Sequence, residues 1–260
     1  MMNVDRFLAR IGLPELRGIN EDSLCRLTRA FLEHIPFESL TVSLLHRIPE
    51  LDEDALYRKI VEDRRGGYCF ELNKAFYLLL RALKFEAYPV GVRNMYKKSE
   101  LAPVLHRSTV IYAGGERFFC CVGSCTGPKG PVRMDTEEAQ SVFGKTFRFR
   151  REGKYIVLQV EEDGVFTKLY QFIDEPYEEI DFAVGNYYCA APPAGVFCER
   201  RVCQICLPDG MIFLNGRELS VTHGRDTVTR SIGDREELAL VLREDFGLDY
   251  YVPYLSEYNF

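Results

Sequence analysis

Through residue 85 the apolar positions recur at intervals of three and four, the spacing that gathers side chains on one face of an α-helix. Residues 4–11 form a short amphipathic stretch ended by Gly12 and Pro14. Leu24, Leu27, Phe31 and Ile35 make the stripe of a second helix, with Asn20 placed to cap it and Pro36 to stop it. Asp52 opens a third, carrying Leu56, Tyr57, Ile60 and Val61. In a fourth, Leu72, Ala75, Phe76, Leu79, Leu80 and Leu83 share a face, and Gly66-Gly67 break the chain just before it, permitting backbone angles other residues resist. Beyond 85 the period falls to two. Residues 87–92, 107–112, 117–122, 146–151, 155–161 and 165–172 read as strands with Gly114, Gly153 and Gly164 at the turns. Phe147 and Phe149 alternate with Arg148 and Arg150, one buried face and one wet face. Strands so regularly spaced predict a barrel or a strongly curled sheet. Residues 186–197, rich in Pro, Ala and Gly, read as a connector. Strands at 201–207, 211–215 and 218–222 follow, and then a helix from Asp234 through Leu238, Val241 and Leu242 to a stop at Gly247. The pattern predicts an α+β chain in three parts: helical over 1–85, β-rich over 86–190, and mixed over 191–260.

Composition narrows the class. At 260 residues, 47% hydrophobic and 28% charged, the chain can bury a large core as an ordinary globular protein. A net charge of -6 argues against a nucleic-acid partner, which wants a basic face. No run approaches the roughly 18 apolar residues of a membrane span, and the first residues lack the apolar stretch of a signal peptide, so the expected location is cytoplasmic. The nine cysteines are odd in number and read as reduced thiols. Cys203 and Cys206 have a metal-like spacing with Cys198 nearby, but no second pair exists and the segment reads as a strand. Core thiols are the better reading, and no metal is expected.

Cys69 falls where the fourth helix begins. Free N–H groups and the positive dipole end there stabilise a thiolate, lowering a pKa of about 8.5, and Arg64 and Arg65 would deepen the effect. The plain alternative is a small apolar residue packed at a helix start; the Gly-Gly turn and the helix start favour a nucleophile. A nucleophilic Cys needs a base, and the base needs an orienting group. His34 in a helix, His46 in a polar loop and His223 in a turn read as structural or solvated, whereas His106 opens a strand. Glu116 and Asp135 are the nearby carboxylates for the third role.

Residues 65–73, Arg-Gly-Gly-Tyr-Cys-Phe-Glu-Leu-Asn, resemble the nucleophile motif of the arylamine N-acetyltransferases: Arg-Gly-Gly, an aromatic, Cys, an aromatic, Glu, any residue, Asn. Residues 10–14 and 35–40, Asp181-Phe182 before Asn186-Tyr187, and Phe246-Gly247 are similar to the family's other landmarks. The resemblance implies a helical bundle, a β-barrel and an α/β lid around a cysteine-protease-like core. It implies acetyl transfer from acetyl-coenzyme A to an arylamine, hydroxylamine or hydrazine, with Cys69 holding the acyl group as a thioester and His106 as base. The partners implied are small molecules, with the protein a monomer or homodimer. Where the family reads Asp-Val-Gly-Phe-Gly, this chain has Cys121-Val122-Gly123-Ser124-Cys125, so the triad carboxylate position is Cys121. A thiol cannot orient an imidazole as a carboxylate does, though a thiolate matches its charge; in the serine-protease triad a neutral isostere of that Asp lowers turnover about 10⁴-fold. Ser124 stands in place of the Phe that lines the family's acyl pocket, and residues 189–195 lack the hydroxyl-rich run common there. Ser124, Cys125, Thr126, Gly127 and Lys129 are the residues expected to face coenzyme A. The alternative is a catalytically impaired or repurposed member acting as a ligand-binding or thiol-reactive protein. Arg65, Gly67, Cys69, Glu71, Asn73 and His106 together favour the enzyme.

Overall fold

The protein, described here as a computed structural model, is placed over residues 2–192, 195, 197–199 and 201–257. Helices α1 (Val4–Arg10), α2 (Glu21–His34), α3 (Leu40–Ser43), α4 (Glu53–Tyr57) and α5 (Cys69–Ala82) lead the chain, with the two-residue strand β1 (Phe37–Glu38) between α2 and α3. Their starts follow the side chains expected to cap them. Asn20 Oδ1 accepts from the Ser23 amide at 2.9 Å, and Asp52 Oδ1 accepts from Asp54 and Ala55. A turn of π-helix, Arg58–Glu62, extends α4.

Eight antiparallel strands then curl into a barrel: β2 (Glu86–Asn94), β3 (Val104–Ala113), β4 (Glu116–Cys120), β5 (Val132–Arg133), β6 (Gln140–Val142), β7 (Lys145–Glu152), β8 (Tyr155–Glu162) and β9 (Val165–Phe172), in the order 5-4-3-2-9-8-7-6. The edge strands β5 and β6 lack a backbone ladder, and the Gln140 side chain supplies one. Its carbonyl accepts from the Arg133 amide at 2.9 Å and its amide donates to the Arg133 carbonyl at 2.8 Å. Val90, Val110, Phe119, Phe149, Leu158 and Phe172 fill the interior. The alternation read at 147–150 holds, with Phe147 and Phe149 buried.

Helix α6 (Asp181–Ala190) takes up residues 186–190 of the stretch read as a connector. Its tightly packed glycine explains how: a Cβ on Gly185 would lie 2.8 Å from the Phe70 ring, so the small residues of this segment permit close helix packing. Of the rest of that stretch, Pro193, Ala194 and Val196 lie outside the described residues. A second sheet combines β10 (Val202–Leu207), β11 (Gly210–Asn215), β12 (Glu218–His223) and β13 (Asp226–Ser231) with β1, in the order 1-10-11-12-13. Its first strand therefore comes from near the start of the chain, through Phe37–Gln204 and Glu38–Cys203 pairing. Helix α7 (Arg235–Glu244), capped by Asp234, packs on this sheet, and a 3₁₀ segment, Asp249–Glu257, follows. No described helix is long and apolar enough to cross a membrane.

Candidate active site

The Gly-Gly turn before α5 works by close approach. Neither glycine has a positive φ, contrary to the expectation of unusual backbone angles. A Cβ on Gly66 would sit 2.0 Å from the Pro36 carbonyl oxygen, and one on Gly67 2.9 Å from the Glu71 Cβ. Glu71 Oε2 accepts from the Tyr68 amide at 3.1 Å, capping the helix, while its Oε1 accepts from Lys59 at 2.7 Å. Arg65 turns away from Cys69: it donates to Thr41 Oγ1 and to the Tyr251 hydroxyl and lies over the Tyr250 ring.

Asn73, one turn into α5, joins the nucleophile helix to the end of β4. Its Nδ2 donates to the Cys69 carbonyl at 3.0 Å and its Oδ1 accepts from the Val122 amide at 2.9 Å. Gly123 rests so close that a Cβ would lie 2.8 Å from the Cys69 Cα. One bond further back, Cys121 Sγ meets His106 Nε2 at 3.1 Å. The imidazole, on β3, stacks on Tyr170 of β9 with centroids 5.1 Å apart. Beside it on β3, fully buried Arg107 holds Glu179 through two bonds of 2.8 and 2.6 Å, and Lys74 of α5 reaches the same carboxylate at 2.9 Å. Helix α5 is thus linked to β3 through Glu179 and to the segment after β4 through Asn73.

Cys69, His106, Ser124, Cys125 and Thr126 line one cavity of about 230 Å³, whose apolar walls include Phe37, Leu105, Cys189 and Phe197. Cys121 lies behind His106, buried. Gly127 packs under the loop, where a Cβ would meet the Tyr170 hydroxyl at 2.8 Å. Ser124 Oγ holds that loop together, accepting from the Tyr170 hydroxyl at 2.6 Å and from the amides of Thr126 and Gly127. Lys129 folds inward, donating to Gln204 Oε1 at 2.8 Å and to the Ser124 carbonyl. The carboxylates near β4 are engaged elsewhere, Glu116 by Arg133 and Asp135 by Arg117, so neither serves His106. Among the described residues no group of three ligand-type side chains is placed to hold a metal.

The electrostatics reverse one expectation. Burial pushes the Cys69 thiol well above its ordinary range, Cys189, Cys121 and Glu71 add to the rise, and the Phe70 amide opposes it without prevailing. At Cys121 burial also acts upward, but the charge of His106 and its hydrogen bond, helped by Ser108 and Lys129, outweigh it and hold the thiol at about 7. The low-pKa thiol is therefore the one behind the imidazole. Sequence reasoning missed Tyr170, Asn94, Lys98 and Phe197; they come from separate strands and loops, the first three gathered by the curl of the barrel and Phe197 by packing on Phe37 and Tyr68.

Comparison with known proteins identifies the family. A family profile described as N-acetyltransferase matches residues 21–252. The arylamine N-acetyltransferase / N-hydroxyarylamine O-acetyltransferase of Salmonella typhimurium is 31% identical over 82% of this chain and 77% of its own. The Mycolicibacterium smegmatis arylamine N-acetyltransferase is 27% identical over 95% and 92%. The solved structure of an arylamine N-acetyltransferase from Salmonella typhimurium superposes with a TM-score of 0.91 at 29% identity, covering 96% of this chain and 93% of that one. With a profile matched across most of its length and the same α+β architecture, this chain belongs to the arylamine N-acetyltransferase family.

Proposed function

We propose that the protein carries an acetyl group from coenzyme A thioester to an arylamine, arylhydroxylamine or hydrazine through a thioester on Cys69. The observation that carries this reading is a single imidazole with Cys121 3.1 Å from its Nε2, lining the same cavity as Cys69. With Nε2 donating to the Cys121 sulfur, Nδ1 has a free lone pair. Because Cys69 is a buried thiol rather than a standing thiolate, its proton passes to Nδ1 as the sulfur attacks the donor carbonyl. The bond from the acetyl carbon to coenzyme A sulfur breaks, and the imidazolium returns the proton to the leaving thiolate. In the second half the amine nitrogen attacks the Cys69 thioester, His106 takes the amine proton, and the Cys69 thiol is regenerated.

The lining also favours this class of acceptor. Among the described lining residues there is no carboxylate, so a protonated alkylamine would enter without a counter-ion. Arylamines and aryl- or acylhydrazines are weak bases, uncharged near neutrality, and incur no such penalty. The test is intact mass after incubation with acetyl-coenzyme A, followed by peptide mapping. One acetyl increment on Cys69, discharged by adding an arylamine and absent in Cys69→Ser, is expected. An adduct that survives Cys69→Ser, or none in the folded wild type, would defeat the proposal.

A further inference from the structure

We propose that Lys98 recognises a negatively charged group on a substrate at the open side of the Cys69 cavity; the inference rests on the acetyl-transfer reading above. Cys69 and His106 are the buried end of this cavity, while Asn94, Lys98 and Thr126 are its exposed lining. Among the described lining residues Lys98 is the permanently charged side chain, and no carboxylate faces it there.

The other cations nearby are already committed. Lys129, the lysine that the sequence suggests for coenzyme A, gives its ammonium to Gln204 and to the Ser124 carbonyl. Lys97 lies over the Tyr96 ring, 5.0 Å from its centroid, and Arg93 donates to the Ala102 carbonyl at 2.5 Å. Lys98 differs in that its backbone is fixed and its tip is not. The turn is pinned by the Met95 amide to the Leu169 carbonyl at 2.8 Å, by the Lys98 amide to the Met95 carbonyl at 3.1 Å, and by the Tyr96 hydroxyl to Glu162 at 2.7 Å. No hydrogen bond or ion pair of the Lys98 side chain is formed among the described residues. A cation on a fixed base beside an otherwise uncharged cavity, in a chain of net charge -6, offers an anion a local attraction that the rest of the surface opposes.

The shared chemistry is an anionic oxygen group, and it has two sources: the phosphates of coenzyme A, or a carboxylate on the aromatic acceptor. Lys98→Met, Lys98→Glu and Lys98→Arg separate them. Each variant is assayed with acetyl-coenzyme A and with the uncharged donor p-nitrophenyl acetate, and with 4-aminobenzoate and aniline as acceptors. If the phosphates are read, Lys98→Glu lowers the ratio of kcat/KM for acetyl-coenzyme A over p-nitrophenyl acetate about tenfold, Lys98→Met less, and Lys98→Arg restores it. If an acceptor carboxylate is read, the 4-aminobenzoate over aniline ratio falls instead. Unchanged ratios in both arms overturn the proposal. Should the wild type fail to form an acetyl-enzyme from either donor, the parent reading fails. Calorimetric binding of coenzyme A and of 4-aminobenzoate to wild type and Lys98→Glu then decides Lys98 separately, equal affinities for both ligands counting against it.

Discussion

In the reaction proposed above, Cys121, 3.1 Å from Nε2, fixes the tautomer of His106. As a thiolate it accepts from Nε2–H, and Nδ1 of the neutral ring is then free for the Cys69 proton. As a thiol it donates to Nε2, placing the ring hydrogen on Nδ1, where it blocks that transfer. Since His106 holds the Cys121 thiol at about 7, the competent form is lost as pH falls through that value. Acetylation of Cys69 in the wild type is therefore expected to rise with pH through about 7, as read by stopped-time mass spectrometry. Cys121→Asp should extend acylation to lower pH, because a carboxylate stays ionised there, and Cys121→Ser should lose the inflection along with most of the rate. The Asp variant would bury a carboxylate at some cost in stability unless His106 is protonated against it. A well-folded Cys121→Asp protein no faster than wild type on the acid side would show that the orienting charge is not what limits acylation.

Between elements, the site depends on ties linking α5 to the β3–β4 region. Asn73→Ala would leave the buried Val122 amide unpaired and remove the side-chain bond to the Cys69 carbonyl, and Glu179→Ala would strand fully buried Arg107. Each is expected to cost about 1–3 kcal/mol, the Glu179 figure held down by that residue's partial exposure. At about 2–4 °C per kcal/mol, thermal melting resolves both. Turnover should fall further in Asn73→Ala, whose partner is the nucleophile's own backbone. A melting temperature within error of wild type in both variants would remove these ties from the account. The Glu179 carboxyl, although burial acts to raise it, is held below its ordinary range by Arg107 and Lys74. Its stabilisation is thus present above the unfolded carboxylate pKa and fades as pH falls through the lower folded value. These ties mark the limit of what the sequence discloses. Helices with caps and stripes, such as α2 and α5, and strands with hairpin glycines, such as β7 to β9, are legible because local spacing determines them. The two-residue strand β1 is not, since its partner β10 is distant in the chain; nor is the edge strand β13, whose residues are all exposed and carry no alternation, nor helix α6, which runs into a Pro, Ala and Gly-rich stretch. At the site, Cys69 and His106 are legible as chemistry, whereas Tyr170 against His106 and Glu179 against Arg107 exist only after closure of the barrel.

Across the whole molecule one buried polar cluster joins β1, the nucleophile loop and the 3₁₀ segment that follows α7. Lys59 sits 3.1 Å from Glu38 and 2.7 Å from Glu71, while the Tyr251 hydroxyl donates to Glu38 at 2.6 Å and accepts from Arg65 at 2.7 Å. Burial raises both carboxyls, and Lys59 opposes that in both. The hydrogen bond from Tyr251 and the charge of Arg65 bring Glu38 below its ordinary range, whereas Glu71, facing Glu38, stays above. Lys59→Met is expected to cost about 3–5 kcal/mol by removing the cation that the two carboxylates share, and to melt in one transition with the rest of the protein. A change under ~1 kcal/mol by denaturant titration would mean that the cluster is dispensable.

Arg65 and Tyr251, which meet in this cluster, stand 186 positions apart. During synthesis the motif around Cys69 emerges well before Tyr251, so Arg65 and Glu38 gain their phenolic partner only once residue 251 has been made. The early segment must wait with its buried charges incompletely matched, so a competent nucleophile loop is a late product of folding. A premature stop before Tyr251 should then yield protein without acylation, even though every catalytic residue has already been made.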